Sequence, residues 1–151
     1  MAAWDGFALA AKMASIATHL EHNLAHSVEQ ACVILETDAK IHIGTYDNGW
    51  PQLAESTQAD RVAKGFPANE PLLRTGELRD SIQHNADGEW TGAGKGHCEG
   101  YVGSDNPKMR IHELGTDRIP ARPMLQAAMV NCEHEIKTLL GVHIQTALEG
   151  K

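Results

Sequence analysis

Apolar residues recur every three or four positions over the first forty residues, a spacing that predicts one long amphipathic helix from about Phe7 to Ile41. No proline interrupts this segment, residues 1–43, and a helix of such length would span roughly 50 Å. A small domain does not need so long a helix, so we expect it to contact another subunit. The predicted stripe consists of Leu9, Met13, Ile16, Leu20, Leu24, Val28, Ala31 and Leu35.

The periodicity is lost between residues 44 and 71. Gly, Pro, Asn and Asp are frequent there, which predicts an extended loop with a short helical turn near Ser56–Ala63. A loop of this length in a compact domain is usually functional or is ordered by a partner. Trp50 and Phe66 stand out in this polar segment, and we expect both side chains to anchor it on a neighbouring protein.

Short helices and a small sheet are predicted between residues 72 and 123. Thr75 is the expected N-cap of a short helix in which Leu78 and Ile82 are stacked four residues apart. A strand is expected to follow through His84 and to reach a hairpin turn at Asp87-Gly88, because this dipeptide favours tight turns.

The return strand of this sheet includes Tyr101 and Val102, and the glycine-rich residues 92–96 before it predict a flexible tip or a second turn. Pro107 is expected to begin a further short helix and Gly115 to end it, since proline suits a first helical position and glycine suits a C-cap.

A last helix is predicted for residues 124–151, with an apolar stripe that begins at Leu125. The further members of this stripe are Ala128, Met129, Cys132, Ile136, Leu139 and then Val142 or His143. A long N-terminal helix, a small antiparallel β-sheet and a C-terminal helix together predict an α+β fold in one domain, residues 1–151.

Composition predicts a soluble chain and limits its contacts with DNA. No apolar run approaches the roughly 20 residues of a membrane span, and the N-terminus lacks the features of an export signal. The formal net charge of −7 argues against a protein that coats duplex DNA. The same charge is compatible with a surface past which DNA slides, because acidic groups repel phosphates.

Three cysteines, Cys32, Cys98 and Cys132, show no CxxC spacing, which argues against a disulfide framework or a structural zinc site. Cys32 and Cys132 fall in helical patterns and are expected to be small buried side chains. Cys98 lies between His97 and Glu99, where a sheet or loop position is expected.

His19, His22 and His26 fall within a narrow arc of the first predicted helix. Two or three such imidazoles, completed by Glu29 or a neighbouring chain, could bind a metal ion. The alternative is a polar helix face that happens to be rich in histidine, and this second interpretation is favoured because no residues that would activate a metal-bound water accompany the three.

Two other motifs do not match the functional signatures that they resemble. His112-Glu113 begins like the HExxH signature of zinc peptidases, but Thr116 stands where the second histidine is required. The glycines around Lys95 lack the Ser or Thr that follows the lysine of a phosphate-binding loop. We therefore predict no catalytic residues, no cofactor and no bound metal.

The order and spacing of several short motifs carry the one family resemblance in the chain. The sequence LLRTGELRDSI is followed by VGSDNP, IHELGT and IPARPML, and GWPQL with Ser56-Thr57 precedes them. Together they resemble the tail-completion and virion-morphogenesis proteins of long-tailed bacteriophages, in their lambda-like and Mu-like branches. The resemblance covers roughly Trp50 to Ala128.

This resemblance implies a structural virion protein that is not an enzyme, a minor tail or neck component. It would be assembled in the host cytoplasm and act at the head–tail junction. Copies would form a homo-oligomeric ring, expected to be hexameric, that joins or caps the tail. Its partners would be the connector, the tail terminator or the tail tube, with DNA passing through the lumen unbound and no membrane involved.

Alternatives remain open at this point. The chain could be a tail terminator or a head-closure protein of the same machine, or a small metal-dependent hydrolase that uses the His19/His22/His26 face. For the structural role, Arg118 and Arg122 are expected to project from a rigid loop and to pair with carboxylates of an adjacent subunit. The full expected interface set is Trp50, Phe66, Thr75, Gly76, His112, Glu113, Gly115, Arg118, Pro120, Arg122 and Pro123.

Overall fold

The computed structural model describes residues 6–90 and 96–150, and these form five helices and two strands. In chain order they are α1 (Gly6–Ile41), α2 (Glu55–Ala63), α3 (Glu77–Asp80), β1 (Ile82–Trp90), β2 (Gly96–Ser104), α4 (Pro107–Leu114) and α5 (Leu125–Leu148). The strands pair as a two-stranded antiparallel sheet. The predicted α+β class, with its long first helix, small sheet and closing helix, is confirmed.

The chain divides into two compact units. We call the first the terminal unit: it comprises the described residues of 1–32, 85–101 and 134–151. The second, here called the central unit, comprises residues 33–84 and 102–133. Both long helices and both strands contribute residues to each unit. The prediction of a single domain stays a prediction.

The central unit is packed around large apolar side chains. They come from the end of α1, from the following loop, and from α3, β1, α4 and the start of α5. Burying one such side chain stabilises a fold by roughly 1.5–3 kcal/mol. The buried members of this core are Ala39, Ile43, Trp50, Leu78, Ile82, Met109, Met124 and Ala128.

Hydrogen bonds within the chain hold the loop that follows α1. The amide of Gly44 donates to the carbonyl of Pro71 at 2.9 Å. The hydroxyl of Tyr46 donates to Asn69 Oδ1 at 2.6 Å and accepts from the amide of Leu53 at 3.2 Å. The short helical turn predicted in this loop is confirmed as α2. These bonds hold the loop within its own chain.

Local sequence signals place α4 correctly. Asn106 is its N-cap, and the Oδ1 atom accepts a hydrogen bond from the amide of Lys108 at 3.0 Å. Pro107 occupies the first turn, where its missing N–H costs no hydrogen bond. Gly115 ends the helix with φ 74°, a conformation that glycine adopts easily. The predicted helix from Pro107 to Gly115 is confirmed.

Three predictions of local structure are wrong. Ile82 is the first residue of β1 and does not continue the helix of Leu78, which ends at Asp80. Gly76, with φ 84°, is the N-cap of α3, while the Thr75 hydroxyl outside the helix accepts from the amide of Glu77 at 3.4 Å. Asp87 and Gly88 lie inside β1 rather than at a hairpin turn. The connection between the strands, residues 91–95, lies outside the described residues. Most of the predicted glycine loop therefore lies there too.

The terminal unit buries only small side chains among its described residues, namely Ser27, Cys32 and Ala147. The expected burial of Cys32 is confirmed, and a Cβ atom at Gly100 would overlap its sulfur. Cys98 lies in β2, as expected, and Cys132 is buried in the central unit. The larger apolar side chains that the structure describes in this unit are half-buried or exposed.

The predicted stripe of α5 is only partly correct. Ala128 and Cys132 are buried, but Met129 is 64% exposed and Val142 is 54% exposed. His143 is the half-buried residue near Gly141 instead. It packs against α1 within the terminal unit: its ring is stacked on His26, and its Nδ1 lies 2.5 Å from Ser27 Oγ. Polar groups thus supply part of the helix packing that the sequence assigns to apolar residues.

Candidate functional site: a basic pocket in the central unit

A pocket of about 520 Å³ opens in the central unit between α2, α3, α4 and the segment that leads to α5. This volume lies within the range of pockets that bind small molecules or a few residues of a peptide. Several residues of the expected interface set meet here. Those that line the pocket are Thr75, Gly76, His112, Arg118, Pro120 and Arg122.

The lining is basic although the whole chain is acidic. Its charged members are Arg61, Arg74, Lys108, Arg118 and Arg122 against the single carboxylate of Glu77. Glu77 lies 3.4 Å from the Lys108 ammonium, and Asp60 lies 3.5 Å from the Arg74 guanidinium. The guanidinium groups of the other three arginines form no salt bridge with any carboxylate in residues 6–90 and 96–150.

Arg122 is buried, with 5% of its surface exposed, and does not project from the loop as the sequence predicts. Its Nη2 atom donates to the carbonyl of Pro51 at 2.8 Å and lies 3.4 Å from that of Gln52. Its Nε atom is buried without a hydrogen-bond partner in the described part of the chain. Burial, together with the positive charge of Arg61, lowers the pKa of Arg122. The prediction that Arg122 projects from the loop is therefore wrong, and its pairing with a carboxylate of another subunit stays a prediction.

Arg61 is the second buried guanidinium of the pocket, with 7% of its surface exposed. Its Nη1 atom donates to the carbonyls of Glu70 at 2.8 Å and Leu73 at 3.1 Å. Sequence reasoning missed this residue because α2 has no strong apolar face and its arginine looks like a solvated charge. The carbonyl dipoles satisfy two hydrogen-bond donors but do not neutralise the charge.

His112 adds a third polar group that is only partly satisfied. Its Nδ1 atom is buried and has no hydrogen-bond partner among the described residues. Burial lowers the pKa of His112, and the neighbouring charges of Arg122 and Lys108 lower it further. The imidazole is therefore held toward its neutral form in a positive environment.

Glu113 explains part of the motif that carries the family resemblance. Its Oε2 atom accepts hydrogen bonds from the amides of Met124 at 2.7 Å and Leu125 at 3.2 Å. Its Oε1 atom accepts from the amide of Gln126 at 2.8 Å. The carboxylate thus caps the N-terminus of α5 from eleven or more residues away and meets the positive end of the helix dipole. It serves its own chain and does not line the pocket.

A tight turn after Gly115 places the next residues at the pocket. A Cβ atom at this glycine would lie 2.8 Å from the amide nitrogen of Ala121, so the close approach requires glycine. The hydroxyl of Thr116 accepts from the amides of Arg118 at 3.3 Å and Ile119 at 3.1 Å. This turn presents Arg118, which is exposed, at the pocket wall.

The two aromatic residues expected to anchor a partner lie elsewhere in the central unit. Trp50 is 6% exposed, and its Nε1 atom donates to the carbonyl of Pro123 at 3.3 Å. It fills the core of its own chain, so the prediction that it anchors a neighbour is wrong for this conformation. Phe66 is half-buried, with the guanidinium of Arg74 4.9 Å from its ring centroid.

The histidine face of α1 forms no metal centre in the residues that the structure describes: no three His, Cys, Asp or Glu side chains there are grouped to hold a metal ion. His26 Nε2 lies 2.9 Å from Gln30 Nε2. His22 and His26 line a smaller hollow of about 230 Å³, with Glu29 and Asp87, in the terminal unit. His19 does not line this hollow.

Comparison of the chain with protein-family models, curated protein sequences and solved structures finds no match. The sequence resemblance described above therefore remains a prediction about the family. Among the described residues, no helix has the length and apolar character needed to cross a bilayer.

Proposed function

We propose that this chain is a structural assembly protein of a long-tailed bacteriophage, a tail-completion or neck component that acts where the head meets the tail. Copies of the chain form a closed ring around the DNA channel and join or cap the tail. The motif order between Trp50 and Ala128 supports the family, and the packing of the terminal unit supports self-association.

The exposed apolar residues of the terminal unit carry the proposal. Leu9 and Met13 lie one turn apart on α1 and are 43% and 63% exposed. Ile144 and Leu148 lie one turn apart on α5 and are 40% and 58% exposed. Apolar pairs of this kind favour contact with another protein surface, particularly in a unit whose described residues bury only small side chains.

A ring suits the charge of the chain. Subunits that contact each other through two different surfaces close into a ring when the rotation between them is a fraction of a full turn. The net charge of −7 per chain gives such a ring a strongly acidic character. Acidic side chains along the channel would repel the phosphates of DNA and let the duplex pass without binding.

Removal of the gene from the phage genome that encodes the chain tests this role. We expect infected cells to accumulate filled heads and separate tails, which electron microscopy of the lysate would show. Tails of abnormal length would instead identify a tail terminator, and heads that lose their DNA would identify a head-closure protein. Normal joined particles with undiminished infectivity would contradict the proposal.

A matched pair of variants links that phenotype to the terminal unit. Complementation with a Met13→Gln, Leu148→Gln chain should fail to restore joined particles, because polar side chains weaken an apolar contact. Val62→Gln is the control, since Val62 is 61% exposed on α2 of the central unit. Restoration of joined particles by both variants would remove the terminal unit from the assembly contact.

A further inference from the structure

Three guanidinium groups without a carboxylate partner meet at the basic pocket, those of Arg61, Arg118 and Arg122. We infer that this pocket binds a carboxylate side chain of an acidic peptide segment. The inference does not depend on a role in a virion, because it follows from the chemistry of the pocket alone.

The two buried arginines provide the energetic argument. Burial of a charge without an opposite charge is unfavourable, and carbonyl oxygens offset only part of that cost. Arg61 and Arg122 each bond carbonyl oxygens of their own chain. An anion in the pocket would neutralise charge at both positions and so remove an unfavourable term that the folded chain alone retains.

A hydrogen-bond donor without a partner marks where the ligand would bind in the pocket. Arg122 lines the pocket with 5% of its surface exposed, and its Nε atom is buried without a hydrogen-bond partner among the described residues. A guanidinium presents its N–H groups as a planar fork that matches the two oxygens of a carboxylate. Arg118, exposed at the same pocket, can make the first contact with an approaching acid.

The walls favour a peptide over a nucleic acid. The lining also contains aliphatic residues, which suit the apolar side chains beside a glutamate or aspartate. Duplex DNA is recognised by basic residues spread along one face, and a chain of net charge −7 repels so dense a polyanion. The aliphatic lining residues are Leu53, Leu72, Leu78, Ile119 and Pro120.

Calorimetric titration of the full chain with two short peptides tests the inference. The probe is an acetylated and amidated hexapeptide of alternating glutamate and leucine, and its control carries glutamine in place of each glutamate. We expect the glutamate peptide to bind and the glutamine peptide not to bind. Inorganic phosphate and a twelve-base-pair duplex are titrated separately, and tighter binding of either one than of the glutamate peptide would overturn the inference.

Charge reversal at the pocket localises the binding. Arg118→Glu should weaken binding of the glutamate peptide by at least ~5-fold, since an exposed ion pair is lost and a repulsive pair replaces it. Arg110→Glu is the matched control, because Arg110 is an exposed residue of α4 that does not line the pocket. Equal weakening by both variants, or by neither, would mean that the peptide does not bind in this pocket.

Two sources of the acidic segment are separated by a second measurement. Sedimentation velocity of the chain with and without a saturating amount of the glutamate peptide shows whether the pocket holds another copy of this chain. Dissociation of an oligomer by the peptide identifies a second copy as the source. An unchanged sedimentation coefficient with the peptide bound would exclude a second copy as the source. Both sedimentation results can be interpreted even if the chain has no role in a virion.

Discussion

The two units of this chain are stabilised in different ways. The central unit buries large side chains such as Trp50 and Met124. The terminal unit buries only Ser27, Cys32 and Ala147 among its described residues and leaves larger apolar side chains exposed. Both units expose apolar side chains, among them Met129 and Val130 in the central unit, so the difference lies in the size of the side chains that each unit buries.

This difference separates residues that build the fold from residues that are free to contact partners. Much of the motif that resembles phage assembly proteins builds the central unit: Glu113 caps α5, Gly115 permits a tight turn, and Arg122 supports the loop at Pro51. Residues of this motif therefore build the scaffold of the central unit. Contacts between subunits are expected on the apolar surface of the terminal unit.

A cavity in the core of the central unit should cause the largest change in the free energy of unfolding. Trp50→Ala removes a buried side chain and its hydrogen bond to the Pro123 carbonyl, and should lower the free energy of unfolding by about 3–5 kcal/mol. Urea unfolding followed by circular dichroism measures this change.

Met13→Ala is the matched control for that substitution. Met13 is 63% exposed in the terminal unit, so its truncation should change the free energy of unfolding of a dissociated chain by less than about 0.5 kcal/mol. Similar losses for Met13→Ala and Trp50→Ala would show that the two units are packed alike, against this account.

A smaller effect is expected at the cap of α5. Glu113→Gln removes the charge and one acceptor from the three backbone amides at the helix start, and should cost about 1–2 kcal/mol of unfolding free energy. Asp117→Asn, at an exposed position of the neighbouring turn, should have almost no effect. Equal stability of the wild type and Glu113→Gln in urea would refute the capping role.

The stability of the chain should depend on pH through His112, a residue of the central unit. The pKa of His112 in the folded chain is lowered by burial and by the charges of Arg122 and Lys108; Glu77 also lies in this pocket, beside Lys108. The unfolded chain therefore binds a proton more readily. Above pH 6.5, the ordinary pKa, protonation of this residue does not weaken the folded state. As the pH falls from 6.5 through the lowered pKa of the folded chain, the free energy of unfolding decreases.

His112→Gln isolates this contribution, because the substitution removes the titrating group and keeps a polar side chain. Urea unfolding of both proteins between pH 8 and pH 5 should show a steeper loss of stability for the wild type below pH 6.5. Parallel curves for the two proteins would mean that the pocket does not depress protonation of His112.

Local signals in the sequence predict the elements that local interactions fix. The helical period gives α1 and α5, while Pro107 and Gly115 give the limits of α4. Asp87-Gly88 misleads because the pairing of β1 with β2 continues past it, and strand pairing overrides the preference of one dipeptide.

The pocket is less predictable because distant segments build it. Arg122 and the carbonyl of Pro51 are 71 positions apart, and Trp50 and Pro123 are 73 apart. Nothing near either arginine in the sequence distinguishes a buried guanidinium from a solvated one. The sequence therefore does not show that Arg61 is buried, and it predicts an exposed Arg122 although the chain itself surrounds this side chain.

Sedimentation velocity of the purified chain tests the central claim most directly, that the terminal unit is completed by further copies. We expect the wild type and Val62→Gln to sediment as a discrete oligomer at micromolar concentration. We expect the double variant Met13→Gln, Leu148→Gln to sediment as a monomer. Its free energy of unfolding should change by less than about 0.5 kcal/mol per substitution. A wild-type chain that sediments as a monomer at every concentration would contradict this claim.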